Sequence, residues 1–172
     1  MNVATIGITG GEPFCRPDLE EIVGAIGDRA ASILFTTGLG AMPERIGILK
    51  RNGLFAIAVS FDFADAEEHN RFRGNPTAYD SAVRAMQWAA AAGIHVIAMC
   101  VVGKRNLSEA YLFDLARKAQ QFGAREIRLL EPVRSGRYLD ANDDTFYTAA
   151  DRARLIAIHH KGNRTAGLPK FT

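Results

Sequence analysis

The chain has 172 residues, 48% of them apolar and 23% charged, enough for one compact domain with a substantial core and too little for two. A formal charge of +2, with no Lys/Arg run interleaved with aromatics, argues against nucleic acid, and no apolar run approaches the ~20 residues that span a bilayer. Cys15 and Cys100 are the only cysteines, which offers no disulfide framework and suits a reducing compartment, so a cytoplasmic location is expected.

Five stretches are nearly continuously apolar: residues 3–8, 32–37, 54–61, 94–102 and 126–130. Strands buried on both faces of a parallel sheet read this way. After the first comes a helical spacing of Leu19, Ile22, Val23 and Ile26 behind Pro17, with Asp18, Glu20 and Glu21 favouring the positive end of the helix dipole. A second helix is expected from Pro43 to near Gly53, and a third from Thr77 to Ala92, closed by Gly93. A fourth opens at Asn106 or Ser108, where Asn106 and Glu109 have capping-box spacing, and ends at Gly123. The last covers roughly residues 144–160. The tail after Gly162, with Asn163, Gly167 and Pro169, reads as a linker.

Strand then helix, repeated with right-handed crossovers, makes a parallel α/β protein. Periodicity does not separate a (β/α) barrel from a doubly wound sheet. In both, ligands meet the carboxyl ends of the strands. Those ends read Thr9-Gly10-Gly11-Glu12-Pro13, Thr36-Thr37-Gly38, Ser60-Phe61-Asp62, Gly103-Lys104-Arg105-Asn106, and 131–137 with Glu131, Arg134 and Arg137. The first is the most informative. Two adjacent glycines let backbone approach a ligand without Cβ obstruction, Pro13 stiffens the exit, and Glu12 adds an acceptor suited to an ammonium group. A plain strand-to-helix turn has the same composition.

Gly10-Gly11-Glu12-Pro13 after a buried strand resembles the motif with which radical S-adenosylmethionine (radical SAM) enzymes hold the cofactor's amino group. Other elements follow in the family's order. Thr36-Thr37-Gly38 resembles its T-N-G, with Thr37 in place of asparagine. Val59-Ser60-Phe61-Asp62, then His69-Asn70 and Arg73-Gly74, resemble its V-S-L-D, H-[DN] and R-G. Ala92-Gly93-Ile94, a strand, Asn106 and Gly136-Arg137 resemble later elements. The resemblance implies an incomplete parallel (β/α) TIM-like barrel, five strand-helix units of a six-unit partial barrel. Residues 1–140 would be its core, and residues 141–172 a following helix and shortened linker. It further implies S-adenosylmethionine as cofactor, with Gly10, Gly11, Glu12 and Pro13 at the amine and Thr36 beside them. Ser60 would reach the ribose or carboxylate, Arg73 would pair the carboxylate, Asp62 would accept from a hydroxyl or cap a turn, and Leu130 would pack beside adenine. A peptide or small molecule would be the substrate.

The family's C-x3-C-x2-C loop, which holds a 4Fe–4S cluster, lies upstream of this turn and has no counterpart among these residues. The expectation is a truncated chain whose parent cleaves S-adenosylmethionine to a 5′-deoxyadenosyl radical and which is inactive alone, with an exposed sheet edge. Cys15 reads as a small packing residue and Cys100 as core. His159 and His160, adjacent on a helix, do not share a metal. Two other readings stand beside this one: a non-catalytic remnant that binds a nucleoside or partner, and a metal-free enzyme holding a phosphorylated substrate with Thr37-Gly38-Leu39-Gly40.

Overall fold

A computed structural model describes residues 3–136, 139–142 and 145–172. Six strands form one sheet: β1 (Thr5–Ile8), β2 (Ala31–Thr36), β3 (Leu54–Ser60), β4 (His95–Val101), β5 (Glu126–Leu130) and β6 (Lys170–Phe171). They pair in sequence order, every pair parallel. A doubly wound sheet reverses its strand order at a switch point; this one never reverses, so the winding is that of a TIM-like barrel left open. The helices are α1 (Leu19–Ile26), α2 (Pro43–Arg51), α3 (Ala66–Arg73), α4 (Ala78–Ala91), α5 (Glu109–Gln121) and α6 (Ala149–Gly162). Among the described residues, no helix is long and apolar enough to cross a membrane.

Alternation along the strands divides the core in two. Leu34, Ile57, Val59, Val96, Cys100 and Ile127 face the helices and pack on Leu19, Ile46, Met86, Leu112 and Leu115. The opposite face carries a smaller cluster, Ala56, Ala58 and Ile97 with Ile33, Phe35 and Met99. That second face leads upward to the rim. The central strands are the most completely buried, whereas β1 is exposed at Thr5 and Gly7 and only half-buried at Ile6 and Ile8. Burial on both faces, expected for residues 3–8, does not extend to β1, because a sheet edge has a neighbour on one side only.

Three further differences from the sequence reading have local causes. The segment Ala66–Arg73 forms a helix although only His69 in it is buried; its polar makeup leaves no apolar period to read, and its start is fixed by Asp65, whose side chain accepts from Glu68 N. The cap of α5 is Ser108, accepting from Tyr111 N, while Asn106 ends a short 3₁₀ turn and is buried. The tail read as a linker returns to the sheet. Asn163 bonds both Phe171 N and Phe171 O at 2.9 Å, and the Phe171 ring packs against Gly162, where an added Cβ would stand 2.8 Å from it. The start of α6 is set by a capping box between Thr148 and Asp151. Arg137 of the G-R element and Asp144, the expected start of the last helix, lie outside the described residues.

Gly38 shows how the rim is locked to the scaffold. It adopts φ +85°, and a Cβ there would stand 2.5 Å from the backbone oxygen of Ser81 in α4. Gly74 also has positive φ, at +65°, but its Cβ position is open. Gly74→Ala should therefore cost only the left-handed penalty, about 1–2 kcal/mol. Gly38→Ala should cost clearly more in urea unfolding, since α4 must move; equal losses would contradict the packing described.

Candidate functional site

The rim at the carboxyl ends of β1, β2 and β3 encloses a pocket of about 260 Å³, lined by Thr9, Gly10, Gly11, Ser60, Arg73 and Met99, with Phe35, Thr36 and Thr37 completing its wall. Strand alternation puts Phe35, Ser60 and Met99 on the same inner face. Gly10 has φ +147°, and nothing lies within 4 Å of a Cβ built on Gly10 or Gly11. The turn thus offers bare backbone to the pocket, where a ligand meets peptide groups with no side chain between.

Glu12 does not line this pocket. Its Oε1 accepts from Phe14 N at 3.2 Å and from the Thr36 hydroxyl at 2.5 Å, and its Oε2 accepts from Thr37 N at 2.8 Å and the Thr37 hydroxyl at 2.5 Å. Four donors fill the carboxylate's acceptor sites. Glu12 therefore fastens the end of β1 to the end of β2 and holds the Gly10–Gly11 backbone in place. Pro13 is buried below it and opens a 3₁₀ turn. Thr36 lines the wall while its hydroxyl is committed to Glu12.

This same arrangement rules against phosphate binding at 37–40. The Thr37 amide is taken by Glu12, the Gly38 amide by Thr36 Oγ1 at 2.9 Å, and the Leu39 amide by Thr37 Oγ1 at 3.4 Å. A phosphate cradle needs those amides free.

Asp62 is the hub on the other side. It is fully buried, and its Oδ2 accepts from Arg73 Nε at 2.7 Å and Nη2 at 2.5 Å, while Oδ1 accepts from Val101 N at 2.9 Å. Its backbone is held as tightly: Tyr111 Oη donates to Asp62 O at 2.8 Å, the Cys100 thiol to the same oxygen at 3.6 Å, and Asp62 N to His69 Nδ1 at 3.3 Å. Arg73 thus stands in a fixed position with one edge on Asp62 and the rest of its fork facing the pocket beside Ser60. It is not a solvated loop arginine. Asp62 reaches the pocket only through Arg73. The motifs named Asp62 and His69 but not their contact, and Tyr111 and Met99 had no motif signal, since these residues come from separate elements joined only by the fold; the period-2 inner-face pattern of β4 is what points to Met99.

Leu130 ends β5 on the inner face, paired with Val101, and lies outside both this pocket and the packed core. Cys15 is exposed; Cys100 is buried in β4, and burial pushes its thiol well up. The two cysteines are on different elements, and no group of three metal-ligating side chains is assembled among the described residues. The thiolate donors of an iron–sulfur cluster are not present in this chain, so a cluster does not fit its own residues. His159 and His160 sit at the end of α6, away from the rim.

A model of the Radical SAM superfamily matches residues 1–129. The chain is 34% identical over 167 residues to the mycofactocin maturase MftC of Mycobacterium tuberculosis, covering 95% of this chain and 42% of that protein. It is 33% identical over 161 residues to the AdoMet-dependent heme synthase of Methanosarcina barkeri, covering 90% and 44%. Streptococcus suis SuiB, in a crystal structure bound to S-adenosylmethionine, superposes with a TM-score of 0.78 at 16% identity, over 98% of this chain and 39% of that one. The chain therefore spans less than half the length of the curated relatives it matches.

The His69 contact makes a pH prediction. Burial pushes its pKa down to about 4, against a smaller upward pull from Asp62 and a downward push from Arg73. His69 is 1% exposed and accepts at Nδ1, so its folded form is neutral with the proton on Nε2. As pH falls below about 6.5 the unfolded chain takes up the proton first, which removes stability until the folded pKa is passed, about 3 kcal/mol at most. Asparagine can offer Oδ1 to Asp62 N without titrating. Urea midpoints measured from pH 7 to 4 should therefore fall less steeply for His69→Asn than for wild type; parallel curves would show that His69 is not held neutral.

Proposed function

Because the chain belongs to the radical SAM superfamily, whose members use S-adenosylmethionine and a 4Fe–4S cluster, we propose that its β1–β3 rim is a binding site for S-adenosylmethionine. The observation that carries this reading is the convergence of bare Gly10–Gly11 backbone, the Ser60 hydroxyl and the Arg73 fork on one pocket. The amino acid end of the cofactor has an ammonium and a carboxylate. Carbonyl groups of residues 9–11 suit the ammonium, and the guanidinium of Arg73 suits the carboxylate because a planar fork pairs two oxygens at once. Ser60 donates to the carboxylate or to a ribose hydroxyl. Leu130 gives adenine an apolar seat farther along the rim. Glu12, Thr36 and Asp62 hold these groups in register, and Pro13 stiffens the turn.

In the parent reaction a 4Fe–4S cluster, held by thiolates that this chain does not carry, would supply the electron for reductive cleavage of S-adenosylmethionine into methionine and a 5′-deoxyadenosyl radical. Gly10, Gly11, Ser60 and Arg73 would hold the methionine end, and the peptide or small-molecule substrate would be the hydrogen donor. With two cysteines, this chain supplies no cluster ligand set, and its part is to bind and orient the nucleoside. On this reading it does not cleave S-adenosylmethionine unaided. A non-catalytic nucleoside-binding role would use the same pocket and differ only in lacking that parent reaction.

Calorimetric titration with S-adenosylmethionine should show weak, saturable binding. Arg73→Ala should weaken it at least about tenfold, in line with loss of a charge-assisted hydrogen bond, while inorganic phosphate should give no heat. Unchanged affinity in Arg73→Ala would sink the assignment. Anaerobic treatment with iron and sulfide should leave no stable brown cluster on the purified chain, and a stoichiometric cluster would show that other ligands suffice.

A further inference from the structure

A second pocket of about 370 Å³ opens where β4 ends, and it shares no lining residue with the first. Phe63, Phe72, Val101 and Pro132 give it apolar walls; Lys104, Arg105 and Asn106 bring polar groups to it. The volume suits a small-molecule group. The two pockets are neighbours, because Arg73 of the first and Phe72 of the second are consecutive, and the Val101 amide binds the same carboxylate that holds Arg73.

Two features of its lining are unmatched among the described residues. Asn106 is 4% exposed, and its Oδ1 has no hydrogen-bond partner among the described residues. A buried carbonyl oxygen without a donor is costly, and few are left so in folded proteins. Gly103 keeps that oxygen uncovered on its side: a Cβ there would stand 3.6 Å from it. Arg105 lies over the Phe63 ring at 5.0 Å with no carboxylate partner among the described residues, and the nearest carboxylate to Lys104 is Asp151, at 4.0 Å. Arg105, without a carboxylate, and Lys104, held only at 4.0 Å by Asp151, therefore border an aromatic surface, where Phe63 and Phe72 have ring centroids 5.3 Å apart.

A surface of this kind selects against a cation and against a purely apolar group. We propose that the pocket binds a carboxylate-bearing aromatic group with a ring N–H or O–H. The ring packs on Phe63 and Phe72, its donor meets Asn106 Oδ1, and its carboxylate pairs with Arg105 and Lys104. That this is the substrate side of the rim rests on the S-adenosylmethionine reading above; the binding itself does not.

Indole-3-acetate carries all three features and is the probe, titrated into the full chain and followed by calorimetry and by ligand-observed NMR. It should bind saturably, and Arg105→Glu, an exposed position, should weaken it roughly tenfold or more. 1-Methylindole-3-acetate, without the N–H, and tryptamine, with the charge reversed, should each bind markedly worse. Saturating S-adenosylmethionine should leave its affinity unchanged. Equal binding of tryptamine, an unaltered Arg105→Glu, or displacement by S-adenosylmethionine overturns the proposal. Failure of S-adenosylmethionine to bind, with indole-3-acetate binding intact, overturns the preceding reading and not this one.

Discussion

A carboxylate with no exposure to water has to be answered by the protein around it, and Asp62 is such a group. Its partners come from three elements: His69 and Arg73 in α3, Val101 at the end of β4 and Tyr111 in α5. The Val101 contact is lost if β3 and β4 slip relative to one another. Removing one partner of a buried charge pair is costly because the other charge remains. The register of the central strands, the seating of α3 and α5 and the aim of Arg73 are thus a single constraint. Tyr111 reinforces it: burial pushes its hydroxyl pKa up, so the donor that Asp62 O requires is kept.

Glu12 performs the matching task at the sheet edge. There β1 has one strand neighbour and incomplete cover, so its carboxyl end would be free to fray. The Glu12 carboxylate, bonded to both threonines of β2's end, ties that turn to the better-buried strand. Two acids therefore act as struts rather than as open acceptors. What they leave facing the pocket are glycine backbone on one side and the outer edge of the Arg73 guanidinium on the other.

The parts of the fold legible in the sequence are those whose cause is local and periodic. Residues 54–60 and 95–101 are apolar on both faces because helices cover one and the inner cluster covers the other, so their strands could be placed closely. By contrast, α3 is stabilised by a cap and by one buried histidine, and its surface pattern has no stripe to detect. The two-residue β6 is held by Asn163 and by the fit of Phe171 on Gly162, partners that no pattern announces. At the site, Gly10, Gly11, Ser60 and Arg73, which the ordered motifs named, line one rim pocket. The motifs misplaced the aim of Glu12, because a carboxylate's direction depends on donors from another strand, here 24 and 25 residues away.

The Asp62 contacts also divide this neighbourhood into two pockets. The Asp62–Val101 bond closes the space between the ends of β3 and β4, with Ser60 and Met99 opening toward one pocket and Val101 with Phe63 toward the other. Because Phe72 and Arg73 follow each other near the end of a helix, they diverge to opposite sides of this closure. The shared wall keeps the two pockets at a fixed spacing. Loosening Asp62 would therefore disturb both pockets at once, whereas changing Arg105 touches only the second.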